Sequence, residues 1–347
     1  MTLLDQLRGQ AGATGPKLTS IYPLAAMPES SVDVRGEHLA STMLPAASVG
    51  DTPARLTFTS AGRVTLRVPE GAVSGNVVLS LGDRSSNGLP LNVAVPLAEN
   101  LHPIANPAVD AQGDIYATFS GARGQEVPVS VFRVDRDYQV RPFVRGLPNA
   151  SALAFGPDGY LYCSSRAEGT VYRIGKDGSM AQFAEGMGIA TGIAFDDDGN
   201  LYVGDRSGTI FKLNTQGSVF VFATLEPSVS AYHLAFTDDG TLLVTGPTTS
   251  SNEAIYAVSP EGEVNTWYRG LGRPQGLALD TDGNVFVAAS LHGERGIIRI
   301  SPQREASLAV SGSGLVGLAF LDDGGASLAT TGALYYVNMQ AEGRLCR

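Results

Sequence analysis

The 347-residue chain reads as an all-β protein, a small β-sandwich followed by a six-bladed β-propeller. Three observations predict this. One phrase recurs six times after residue 100: AVDAQGDIYAT, LAFGPDGYLYCS, IAFDDDGNLYVG, LAFTDDGTLLVT, LALDTDGNVFVA and LAFLDDGGASLAT. Its turn glycines, Gly113, Gly159, Gly199, Gly240, Gly283 and Gly324, are separated by steps of 46, 40, 41, 43 and 41 residues, the period of a propeller blade. The 42 glycines follow no collagen-like period and point to many tight turns, hence many short strands.

Residues 1–16 read as a short amphipathic helix, with Leu3, Leu4 and Leu7 on one side, and a linker. Residues 17–95 alternate apolar and polar positions between glycine- and serine-rich turns. In SVDVRGEHL, for example, Val32 and Val34 share one face, with Asp33 and Arg35 on the other. Several such strands in so short a segment predict a sandwich. His38 and Asp33 read as surface residues.

Residues 96–347 carry the repeat. A second phrase follows each of the first five copies, as VFRVDRDYQV, VYRIGKDGSM, IFKLNTQGSV, IYAVSPEGEV and IIRISPQREA. Each unit thus supplies four antiparallel strands, A to D. The last blade has two routes to a D strand: the C-terminal residues of the chain, or residues 97–104 returning to lock the ring.

Composition narrows the partners. Hydrophobic residues make up 43% and charged residues 17%, which fits a folded globular chain. The net charge of −10 and the lack of a lysine/arginine run argue against nucleic acid. No apolar stretch is long enough to span a bilayer, so no membrane partner is expected. The N-terminus lacks the apolar core of a signal peptide, which predicts a cytoplasmic protein, with a trimmed secreted form as the alternative. Cys163 and Cys346 make no disulfide framework, and no histidine or cysteine pair has zinc-ligand spacing.

Two family resemblances follow from these residues. Ile21-Tyr22-Pro23, Val32-Asp33-Val34-Arg35-Gly36 and Val68-Pro69-Glu70-Gly71 resemble the IPT/TIG immunoglobulin-like family, which implies a spacer or interaction module. Gly192-Ile193-Ala194-Phe195 with Leu201-Tyr202-Val203-Gly204-Asp205 resembles the NHL-repeat and senescence-marker/gluconolactonase group of propellers. In the gluconolactonase group, the start of the innermost strand contributes carboxylate and asparagine ligands to a divalent metal. The equivalent positions here, eight residues before each turn glycine, are Ala105, Ser151, Thr191, Tyr232, Gln275 and Val316, none of them acidic. A hard divalent ion wants charged oxygen donors, so no metal site carries over, and the amide of Asn106 does not replace one. The acidic turns DDDGN and DTDGN lack the glutamate of a calcium loop and serve as hairpin turns.

The candidate ligand residues are those expected around the channel mouth, where B-to-C and D-to-A connections converge. They are Ser151, Thr191, Tyr232, His233, Gln275 and Asn106 near the inner strands, with Arg166, Asp205, Arg206 and His292 in the B-to-C connections. The leading expectation is a binding protein for a small polar molecule or a protein, with no cofactor. The enzyme alternatives come from resemblance: a gluconolactonase-like hydrolase with a divergent site, where calcium or zinc would enter, or a propeller like the streptogramin lyases. No catalytic residue is assigned.

Overall fold

The computed structural model describes residues 15–41, 43–122, 125–250 and 252–344. The expected N-terminal helix and Cys346 lie outside these described residues. The chain divides into two compact units, one ending at Ala94 and one beginning at Val95.

In the first unit, Ser31–Glu37 pairs antiparallel with both Lys17–Tyr22 and Arg63–Arg67. Thr52–Thr59 joins Arg63–Arg67 to Ala46–Val49, which continues through Gly75–Leu81 to Leu89–Val93. The alternation read from the sequence sets the faces. Val32 and Val34 enter a core with Leu18, Val64, Leu66 and Leu79, and Asp33 turns outward to accept hydrogen bonds from Arg63 (2.6 Å) and Thr65 Oγ1 (2.6 Å). The strand stops at Glu37, before an exposed His38 with φ of 55°.

The second unit is a β-propeller. Five separate four-stranded sheets form its blades. The first runs Ala108–Val109, Ile115–Thr118, Val131–Val134, Val140–Val144. The second is Ala150–Phe155, Leu161–Ser165, Thr170–Ile174, Met180–Ala184, and the third is Ala190–Phe195, Leu201–Asp205, Thr209–Leu213, Val219–Thr224. The fourth is His233–Phe236, Leu242–Thr245, Glu253–Val258, Val264–Leu271. The closing blade combines Leu315–Phe320, Gly325–Thr330 and Ala333–Asn338 with Val95–Glu99, which pairs antiparallel to Ala333–Asn338. The ring is therefore locked by an N-terminal strand, and residues after Asn338 supply no D strand among the described residues. Of the six blades expected, five are separate four-stranded sheets. The strands Leu277–Leu279, Val285–Leu291, Glu294–Ile300 and Ala306–Ser311 pair in the same antiparallel order but belong to a larger sheet.

The repeat phrase has a local cause. In the A–B turn, Gly159, Gly199, Gly240 and Gly283 have φ of 75°, 81°, 78° and 77°, and each glycine N–H donates three residues back, at 2.9–3.2 Å. A side chain resists that left-handed backbone, whereas glycine takes it freely. The turn aspartates serve the same hairpins: Asp196 and Asp280 each accept the N–H four residues on, from Asn200 (2.8 Å) and Asn284 (2.7 Å).

The phrase aromatic packs one blade on the next. Tyr116 meets Phe143 and Phe155 edge-on (5.0 and 5.3 Å), and Tyr162 and Tyr202 repeat the contact with Phe183/Phe195 and Phe222/Phe236. Such edge-to-face pairs add specificity to the buried apolar area. B strands such as Leu161–Ser165 are buried throughout, and outer strands such as Val140–Val144 are largely exposed.

Candidate functional site

A–B and C–D hairpins leave from one end of each blade, so B–C and D–A connections share the other. Seven residues before the turn glycines stand Asn106, Ala152, Gly192, His233, Gly276 and Gly317. Asn106 ties two other inner strands together: Nδ2 donates to the Leu277 carbonyl (2.8 Å) and Oδ1 accepts from the Leu318 N–H (3.2 Å). A Cβ on Gly276 or Gly317 would run into Asn106 Oδ1. What remains is a cavity of about 30 Å³, beside Asn106 and His233, enough for about one water molecule. His233 is 3% exposed, its Nε2 has no partner, and burial pushes its pKa down to about 4.

Of the positions expected to ring the channel mouth, Thr191, Tyr232 and Gln275 stitch one blade to the next. Ser164 Oγ donates to the Thr191 carbonyl, and Thr245 Oγ1 to the Gln275 carbonyl (2.6 Å). Thr191 Oγ1 donates to Gly204 O (2.9 Å) and accepts from the Tyr232 N–H (3.0 Å). Tyr232 is buried between Gly204 and Gly246, where a Cβ on either glycine would strike it, and its hydroxyl donates to the Glu226 carbonyl. Ser151 is buried and donates to Asn149 O (3.2 Å). Gln275, half-buried, reaches Leu315 O (3.5 Å).

The B–C connections present the charges. Asp205 is buried, accepting from the Ile189 N–H (2.8 Å) and from Ser207 Oγ, so it braces the backbone rather than pairing with Arg206. Arg166 and Arg206 occupy matching positions in the second and third blades, both half-buried. Arg166 Nη2 donates to Gly121 O (2.6 Å) and Arg206 Nη2 to Val229 O (2.9 Å), and the Nε of each is buried without a partner. Burial lowers the Arg166 pKa, and the Arg206 charge lowers it further. His292 is exposed in a tight turn with φ of 51°.

One functional candidate went unread in the sequence. Glu253 is 4% exposed. Its Oε1 accepts from the Thr248 N–H (3.1 Å), its Oε2 has no partner, and burial raises its pKa against the opposing charge of Arg273. The signal was available: Glu253 stands two residues before a C-strand phrase, where three other blades carry Gly169, Gly208 and Gly332.

No group of three or more His, Cys, Asp or Glu side chains is placed to hold a metal among the described residues. The residues at the gluconolactonase-type ligand positions do not fit a divalent ion, since hydroxyls, an amide and apolar groups stand where charged oxygens are needed. Cys163 is buried, its thiol pushed up to about 12, and is not a reactive thiol.

The strand order and the inter-blade aromatics define the class of the second unit as a β-propeller. The family model "Strictosidine synthase-like, N-terminal" matches residues 192–213, the first three strands of the third blade. No curated protein sequence matches the chain. Among solved structures, a protein of unknown function from Bacteroides thetaiotaomicron aligns over 94% of this chain and 98% of its own, with 13% identity and a TM-score of 0.57. A candidate gluconolactonase aligns over 74% and 94%, with 17% identity and a TM-score of 0.59. Virginiamycin B lyase from Staphylococcus aureus aligns over 69% and 95%, with 15% identity and a TM-score of 0.52. At these identities the likeness is one of fold.

Proposed function

We propose that this chain is a propeller binding protein that recognises a small polar molecule on the face carrying the B–C and D–A connections. We further infer that the ring is six-bladed, with Leu277–Ser311 as the blade before the closing one. The sandwich-like first unit would then be a spacer or interaction module of the IPT/TIG immunoglobulin-like type. The six-blade count is supported by the Leu277–Ser311 ladders, which repeat the order of the other blades, and by Gly283, whose φ matches the other turns.

The observation that carries the binding reading is the pair Arg166 and Arg206, two neighbouring cations with buried, unpartnered Nε atoms on one face. Buried polar groups left without partners in a folded chain call for a reason, and a missing ligand is one. Thermal-shift screening with small polar metabolites tests it, because a ligand that binds only the folded state raises the Tm by mass action. Binding predicts shifts that Arg166→Gln and Arg206→Gln diminish. Absence of any shift across the panel defeats it.

A second reading, a gluconolactonase-like hydrolase, is favoured by Glu253. A buried carboxyl whose pKa is raised is suited to the part of a general acid. It predicts turnover of a lactone panel, abolished by Glu253→Gln. No turnover with any lactone, with or without calcium or zinc, leaves the binding reading alone.

A further inference from the structure

We propose that Arg166 and Arg206 form a two-guanidinium seat for an oxyanion, so that the molecule recognised on this face carries a carboxylate or phosphate group. The inference deepens the binding reading above and rests on it.

Position is the first argument. Arg166 and Arg206 each stand seven residues after a turn glycine, Gly159 and Gly199. The other four copies carry Ser120, Pro247, Ser290 and Thr331 there. The only two cations at this height thus fall in consecutive blades, where the propeller geometry sets them side by side.

Orientation is the second. One terminal nitrogen of each guanidinium is tied to a carbonyl, Gly121 O for Arg166 and Val229 O for Arg206. Each planar group is therefore held on its anchoring loop, with further N–H donors left over. A guanidinium has five donors in a fixed fork that matches the two oxygens of a carboxylate or phosphate.

The third argument is the missing counter-charge. Other buried or half-buried arginines of the propeller sit against a carboxylate: Arg133 pairs with Asp114, Arg173 with Asp158 (3.0 Å) and Arg344 with Asp238 (2.7 Å). Among the described residues neither Arg166 nor Arg206 has an ion-pair partner, and the carboxylate next in sequence, Asp205, is bound to Ile189 and Ser207. Loop anchoring alone explains one hydrogen bond per arginine. It does not explain two like charges in matching positions of consecutive blades with no carboxylate paired to either. An oxyanion between them supplies both the counter-charge and acceptors.

The full chain is titrated at constant ionic strength with inorganic phosphate, malonate and neutral glucono-δ-lactone, by calorimetry and thermal shift. Phosphate or malonate is expected to bind and raise the Tm, and the tighter of the two names the source of the oxyanion. Arg166→Gln and Arg206→Gln should each weaken that binding about tenfold or more, the loss of a charge-assisted hydrogen bond. Arg166→Lys, which keeps the charge but not the fork, should fall between. Without anion, Arg166→Gln should melt above the wild type, because one of two repelling charges is gone.

Three results overturn the proposal. The variants bind the anions as tightly as wild type; or neither anion binds; or anion-free Arg166→Gln melts lower while anion affinity is unchanged, which makes the arginines loop clamps. If the neutral lactone binds and both variants hold it as tightly as wild type, the oxyanion seat is wrong, whereas a binding propeller survives.

Discussion

An imidazole buried inside a propeller resists protonation, and His233 shows the cost. Its folded pKa of about 4 lies below the unfolded value of 6.5. As pH falls through 6.5 the unfolded chain takes up a proton that the folded chain refuses until about pH 4. Stability from this group is therefore intact above pH 6.5 and is lost between 6.5 and 4, by up to about 3 kcal/mol. His233→Gln should flatten that part of the Tm–pH curve, measured by calorimetry against wild type at matched buffers. A wild-type slope that survives the substitution would assign the acid sensitivity to the carboxylates instead. The sequence marked His233 as unusual, because three of the equivalent positions are glycine. It did not reveal that those glycines at 276 and 317 make room for Asn106, since that close approach joins residues more than 100 positions apart. Nor did it single out Glu253, whose meaning lies in burial without a full set of partners.

At the scale of the element, the strands meant for ligand contact hold the blades together. Tyr232 fills the space that Gly204 and Gly246 leave open. Gly246→Ala should cost about 1–3 kcal/mol through overpacking. The same change in a Tyr232→Leu background should cost clearly less, because the ring it strikes is gone. Urea denaturation of the four proteins measures the coupling, and equal costs in both backgrounds would show that the alanine strains something other than the ring. The hairpins were readable because an acidic residue and a glycine at fixed spacing have one efficient geometry, and Gly159 and Gly199 adopt it. The strand Val95–Glu99 was harder to read. It carries no blade phrase, and Pro96 weakens its strand pattern, although an outermost strand tolerates proline. Its partner Ala333–Asn338 sits at the far end of the chain, and pairing that distant leaves no local pattern.

For the whole molecule, that strand decides where the chain can be cut. The compact units meet between Ala94 and Val95, so a propeller beginning at Val95 keeps its closing strand. One beginning at residue 103 loses it and exposes the edge of Ala333–Asn338, an invitation to aggregate. Size-exclusion chromatography should find the first monodisperse and the second aggregated or molten, and two equally well-folded fragments would contradict this. The same lock governs how the ring responds to force. Val95 faces Tyr336 across the ladder and Glu99 faces Ala333, so the two ends of the unit leave from the same end of one ladder. A pull between them loads its hydrogen bonds one at a time, like a zip, rather than all together in shear. The tail must let go first, because Arg344 grips Asp238 and the Leu279 and Phe236 carbonyls. Optical-tweezer traces should therefore open with a small, low-force, reversible step as the clasp unzips, followed by the larger extensions of blades that have lost their closure. The ring is a belt fastened by its own buckle, strong around its circumference and quick to release at the ends.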